Sequence, residues 1–161
     1  MKASDFARLV PECCSEVLDA MYFTTVNGQV PLDWVDENSP VPAEPPQTLA
    51  YSLHFAGDIS GNFGLSIEQT AAQSLAANFL GEEVEDISSK EVHEVVGELT
   101  NMFCGSVMSR VEGENKFVLS HPEEIVTVPN AGVGDIHISK LDTDSGVITV
   151  WVAVEGTPCC Q

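Results

Sequence analysis

Glu98 and Asn101 lie three residues apart in the stretch KEVHEVVGELTNMFCGSVMSR, which runs from Lys90 to Arg110. A carboxylate can pair with a lysine on another molecule. A carboxamide can accept and donate at once, and so can hold a water molecule in a chosen orientation. Neither group is a nucleophile, so the pair is suited to positioning reactants rather than to attacking them. Glu94 and Gly105 extend the same spacing by one helical turn on either side.

At about 100° per residue, Val92, Val95, Val96, Leu99, Phe103 and Val107 occupy roughly one third of a helical wheel, the width of a core-facing stripe. Glu94, Glu98, Asn101 and Gly105 fall on a narrow stripe on the opposite side and are predicted to face outward. On the residues alone, an ordinary solvated helix face is the simplest account. Two poor helix formers argue for something more, because Asn costs several tenths of a kcal/mol and Gly about 1 kcal/mol relative to Ala in a helix interior. Placing both on one exposed stripe beside a glutamate suggests close approach by another molecule.

The elements that would carry this helix can be read from periodicity. Residues 4–25 show helical spacing of Phe6, Leu9, Val10, Cys13, Val17, Leu18 and Met21, with Ser4 as a possible cap and a start or kink at Pro11. Residues 26–46, with five prolines in NGQVPLDWVDENSPVPAEPP, read as a long connection with room for a short edge strand. TLAYSLHFAGDISGNFGLSIE reads as a hairpin turning over Gly57 to Asn62. An Ala-rich helix follows and ends at Gly81, and Ser88 with Glu91 can form a capping box for the Glu98 helix. KFVLSHPEEIVTV is strand-like, and DIHISKLDTDSGVITVWVAVE is a second hairpin turning at DTDSG. The predicted class is α+β, an antiparallel sheet with two long helices on one face. Each half offers a helix and a hairpin, which raises a weak internal duplication without sequence identity to support it. Residues 1–161 are read as one domain, with 1–3 and 156–161 as loose ends.

Composition narrows the function. Six Lys and Arg against 25 Asp and Glu give a formal net charge of −19, which repels phosphate backbones and anionic membranes. A protein partner or a small cation is the better match, and solubility alone would also account for the charge. Apolar content of 43% fits a globular chain, and no apolar run approaches the roughly 18 residues that span a bilayer. No export signal is visible at the N-terminus, so the cytoplasm is the expected location. The five cysteines, Cys13, Cys14, Cys104, Cys159 and Cys160, are read as free thiols, and without a C-x-x-C no metal site is expected.

The stretch EVVGELTNMFCGSVMSR resembles the signature helix of the chemotaxis phosphatase family that includes CheC, CheX and FliY, and the context VGELTNMFCG is closest to CheX. Its kernel is E-x-x-N followed by a small residue, here Glu98, Asn101 and Gly105. FVLSHPEEIV resembles the family's strand with its LSxP element, here Leu119 to Pro122. Together with the element order, the resemblance spans most of the chain. It implies hydrolysis of the aspartyl phosphate of a CheY-like response regulator in chemotaxis or related two-component signalling. By that resemblance Asn101 would position the attacking water, and Glu98 would pair with the regulator's lysine. Glu94 and Gly105 would lie at the docking surface. The Mg²⁺ would belong to the regulator, with no cofactor bound by this chain, and the chain would form a homodimer. ECCS from Glu12 and EVLD from Glu16 hold no asparagine, so one site is expected rather than the two of CheC-like members. Glu94 stands where the family often has Asp or Ser, which keeps an acceptor but adds length and charge. The alternative is a non-catalytic module of the same fold that binds a regulator or dimerises.

Other candidate sites are weak. HEVVG from His93 has Gly97 where a zinc-protease helix needs its second histidine, and GVGD at Gly132 to Asp135 lacks a third glycine. His54, His93, His121 and His137 are isolated in sequence and are read as structural. A cation buffer would need a loop of EF-hand spacing, which is missing.

Overall fold

The computed structural model describes residues 3–30, 47–57, 59–111, 117–126 and 135–155. Three helices, α1 (Leu9–Tyr22), α2 (Gln69–Leu80) and α3 (Ser89–Arg110), pack on an antiparallel sheet. Its strands are β1 (Val26–Val30), β2 (Thr48–Ala56), β3 (Gly61–Glu68), β4 (Val118–Leu119), β5 (Glu123–Glu124), β6 (Asp135–Thr143) and β7 (Gly146–Val154). The order across the sheet is β1-β6-β7-β3-β2-β4, and β5 also pairs with β2.

Both predicted hairpins form. They meet at the centre through β3 and β7, so that Leu49, Ile67 and Ile148 form one cross-strand row. Tyr51, Leu65 and Val150 form the next, and Leu53, Phe63 and Val152 the third. All nine side chains join the core. A slip of one residue in either pairing would turn that whole set away from the helices, so burial pins the register. Gly64 and Trp151 are paired on the opposite face of the sheet, where a Cβ on residue 64 would run into the indole.

The short strands are exchanged between the two halves. β1, which follows α1, flanks the hairpin of the second half, and β4 and β5, which follow α3, flank the hairpin of the first half. Each half thus lends its short strand to the other half's hairpin.

Several details differ from the sequence reading. The first helix is split into a 3₁₀ turn at Ala3–Phe6 and α1 proper, whose third residue is Pro11. Proline is tolerated there because first-turn N–H groups have no intrahelical partner. Ser4 does not cap α1; its carbonyl accepts from the Ala7 N–H. The helix stops at Tyr22 because Phe23 adopts a left-handed conformation and its N–H returns to the Leu18 carbonyl. Ala3, read as part of a loose end, is buried, and its N–H donates to Asp135. The stretch after Arg110 forms two dipeptide ladders, β4 and β5, rather than one strand, because Pro122 cannot donate to a ladder. The edge strand expected in 26–46 is β1; residues 31–46 and the tail 156–161 lie outside the described residues. The Ala-rich α2 joins the two longer helices in one layer.

The six residues assigned to the core face of α3 are all buried, and Thr100, Cys104 and Met108 join them toward its C-terminus. That widening has a cause in α1, which runs antiparallel alongside. Tyr22 hydroxyl contacts the Met102 sulfur at 3.8 Å, the Cys13 thiol reaches the Ser106 carbonyl at 3.7 Å, and Arg110 bridges Glu12 and Glu16.

Two expectations follow. Phe103→Ala should lower the unfolding free energy by about 3–5 kcal/mol, read from urea denaturation, as for other buried aromatic truncations; an unchanged midpoint would mean that α3 is rotated from this placement. Burial pushes the Cys104 thiol up to about 12 and raises Cys13 and Cys14 as well. At pH 8 these three should therefore stay protonated and resist alkylation in the native state, and react once urea unfolds the chain. Peptide mapping of the labelled protein would expose any of them that reacts early.

Candidate functional site

The site is built on α3. Its start is fixed by the predicted capping box: Ser88 Oγ accepts from the Glu91 N–H at 3.1 Å, and the Glu91 carboxylate accepts from the Ser88 N–H at 3.2 Å. From there the buried face sets the rotation of the helix. Glu94 and Glu98 are exposed, and Asn101 and Gly105 are half-exposed. The four residues of the predicted stripe therefore lie on the side of α3 away from the core.

Glu94 and Glu98 differ in their surroundings. Glu94 stands 4.0 Å from the Lys90 ammonium, one turn back on the same helix. Glu98 and Asn101 have no hydrogen bond or ion pair among the described residues. Beneath Glu98 lies Tyr22, whose phenol is raised well above its ordinary range by burial, with the Glu98 charge adding to the effect. The phenol thus stays protonated, and the ring stacks on Phe79 at 4.9 Å, which gives the stripe a firm apolar support on one flank.

On the other flank the stripe borders an open groove of about 680 Å³. Lys90, Glu94, Gly97, Glu98 and Asn101 form its helix side. The opposite wall is Leu119 to Pro122, the LSxP element, and Tyr51 of β2 also lines it. The wall hangs on the sheet edge by hydrogen bonds to the backbone of β2. The Ser120 N–H donates to the His54 carbonyl at 2.8 Å, the His54 N–H donates to Ser120 Oγ at 2.8 Å, and the Ile125 N–H donates to the Ala50 carbonyl at 2.9 Å. His93 ties this wall to α3, with Nδ1 2.8 Å from the Ser89 carbonyl and Nε2 3.1 Å from the Glu124 carboxylate. Its ring also meets Tyr51 edge-on, at a centroid distance of 6.4 Å.

The fold thus brings the E-x-x-N kernel and the LSxP element, about twenty residues apart in sequence, to two sides of one groove. Sequence reasoning missed Tyr51, Lys90 and Gly97 as groove residues and read all four histidines as structural. Three of them fit that reading, since His54 pairs with Glu155, His93 with Glu124, and His137 lies 2.8 Å from Ser139 Oγ. His121 does not, because it is exposed and lines the groove.

Residues 49–130, about half of the chain, match the family described as Chemotaxis phosphatase CheX. The chain belongs to the CheX family. The fold agrees: the CheX chemotaxis protein of Vibrio vulnificus superposes with a TM-score of 0.71 at 19% identity, covering 94% of this chain and 97% of that one. CheX in a complex with CheY, BeF₃ and Mg²⁺ from Borrelia burgdorferi gives 0.66 at 18% identity, over 94% and 99% of the two chains. FliY of Thermotoga maritima gives 0.57 at 11% identity, over 94% and 88%. No curated protein matches the chain. Among the described residues of this CheX-family chain, no helix is long and apolar enough to cross a membrane.

The two glycines of the site serve no internal contact. Among the described residues, a Cβ at residue 105 would meet nothing within 4 Å, and one at residue 97 would make only ordinary contact with Tyr51 and Pro122. Gly105→Ala should therefore raise the unfolding free energy by about 1 kcal/mol, from helix propensity alone. A loss of stability in urea denaturation would show that the glycine is needed for packing within the chain.

Proposed function

We infer that this chain hydrolyses the aspartyl phosphate of a CheY-like response regulator, with Glu98 and Asn101 as the working residues. The observation that carries the reading is their availability: in a family of phosphatases, the two kernel side chains sit on the outward stripe of α3 with no hydrogen bond or ion pair among the described residues. The complex of a CheX with CheY, BeF₃ and Mg²⁺ supports the partner class, since beryllium trifluoride stands in for a phosphoryl group.

The chemistry asks for little covalent help. Phosphoryl transfer to water needs a water held in line with the breaking P–O bond and charge stabilisation at the phosphoryl oxygens. Mg²⁺ in the regulator supplies charge neutralisation there. Asn101 accepts from the attacking water through its carbonyl and can donate through its amide, which fixes the water's direction of approach. Glu98 forms an ion pair with a lysine of the regulator and holds the docked geometry. In the free chain it faces solvent, so the pair forms only when the partner arrives and excludes water. Gly105 lets the regulator's backbone come close on the next turn, and Glu94, already near Lys90, borders the same surface. A homodimer is carried over from the family resemblance, and light scattering on the purified chain tests it.

The deciding experiment is the rate of loss of phosphate from a phosphorylated CheY-like regulator with Mg²⁺ present, comparing the wild-type chain with Asn101→Ala. The wild type should accelerate the loss. Asn101→Ala should abolish the acceleration while changing the unfolding free energy by no more than about 0.5 kcal/mol, as for a surface substitution. Binding of the regulator without acceleration would instead make the chain a non-catalytic docking module.

A further inference from the structure

The LSxP element divides into residues that hold the wall and one that faces the groove. Leu119 pairs with Phe55 of β2 and packs against the core. Ser120 is engaged through both its N–H and its hydroxyl with His54. Pro122 ends the first ladder and lies toward Gly97 of α3. His121 is left exposed at the groove, with no hydrogen bond or ion pair among the described residues.

The charge pattern gives that position a direction. The chain has only six Lys and Arg and four His, yet Lys90, His93 and His121 all line this one groove. Lys90 is beside Glu94, and His93 is beside Glu124, so each already faces a carboxylate of the chain itself. His121 faces no such carboxylate among the described residues, so its N–H can be given to another molecule. The helix side of the groove offers Glu98 for a cation of the partner, and the wall opposite offers a donor, which suits an anion.

We propose that His121 is a docking residue that donates a hydrogen bond to an anionic group on the phosphorylated face of the response regulator. This rests on the function inferred above and adds to it a second wall that reads the partner. The regulator would enter with its aspartyl phosphate toward Asn101, its lysine toward Glu98 and an acidic or phosphoryl oxygen toward His121. His93 and Glu124 would keep the wall at a fixed distance from α3, so that both sides engage together.

The test is steady-state dephosphorylation of the regulator by the full chain, wild type against His121→Ala and His121→Gln, with direct titration of the Mg²⁺- and beryllofluoride-loaded regulator alongside. His121→Ala should raise KM and Kd about tenfold, the effect of losing one hydrogen bond to a charged group, and leave kcat within about twofold. His121→Gln keeps an N–H donor and should recover most of the loss. Unchanged KM and Kd in His121→Ala would overturn the proposal, and so would a fall in kcat alone, which would place His121 in the chemical step. If the wild type binds the regulator but does not dephosphorylate it, the phosphatase reading fails while the Kd series still decides the role of His121. If the wild type does not bind, both readings fall.

Discussion

The apolar seam of α3 fixes the rotation of that helix about its axis, and every functional position depends on this angle. A helix advances about 100° per residue, so a seam misplaced by one residue would carry Asn101 most of the way to the edge of the core. The seam is held on several sides. β2 and β3 lie beneath, and α1 and α2 lie alongside. Phe103 and Leu99 are fully buried at its centre. Because packed interiors tolerate little volume change, the outward direction of Glu98 and Asn101 is specified by side chains that touch neither of them.

Such a helix carries residues that local propensity disfavours. Gly97, Asn101 and Gly105 all lower its intrinsic stability. The capping box at Ser88 and Glu91 offsets part of this at the N-terminus, and Arg110 ties the last turn to Glu12 and Glu16 of α1. Tertiary burial supplies the rest, as it does for most helices in folded proteins. The two glycines and Asn101 thus lie on the side where a partner would sit, and the buried face opposite offsets their cost.

The second wall depends on the sheet rather than on the helix. β4 and β5 are too short to stand alone, yet each pairs with β2, and Tyr51 and Phe55 of that strand reach the helix layer from the same ladder. The exchange of short strands between the two halves puts this wall beside α3, since the strand that follows α3 must cross to the first hairpin. The groove is therefore a product of topology. His93 and Glu124 then link its two sides directly.

Much of this was legible in the sequence. Alternation along Leu49 to Phe55 and the turn residues gave the two hairpins, the capping box gave the start of α3 within a residue, and the wheel placed Glu94, Glu98, Asn101 and Gly105 outward, because helical and strand periods are local properties of the chain. What the sequence could not supply was which elements meet. The split of the first helix at Phe6, the burial of Ala3 against Asp135 and the breaking of the LSxP stretch into two ladders all depend on partners far along the chain. The same holds for His121. In sequence it is one of four isolated histidines. Only the tertiary structure separates it from His54, His93 and His137, because a side chain's role as support or as contact is set by the distant residues that do, or do not, reach it.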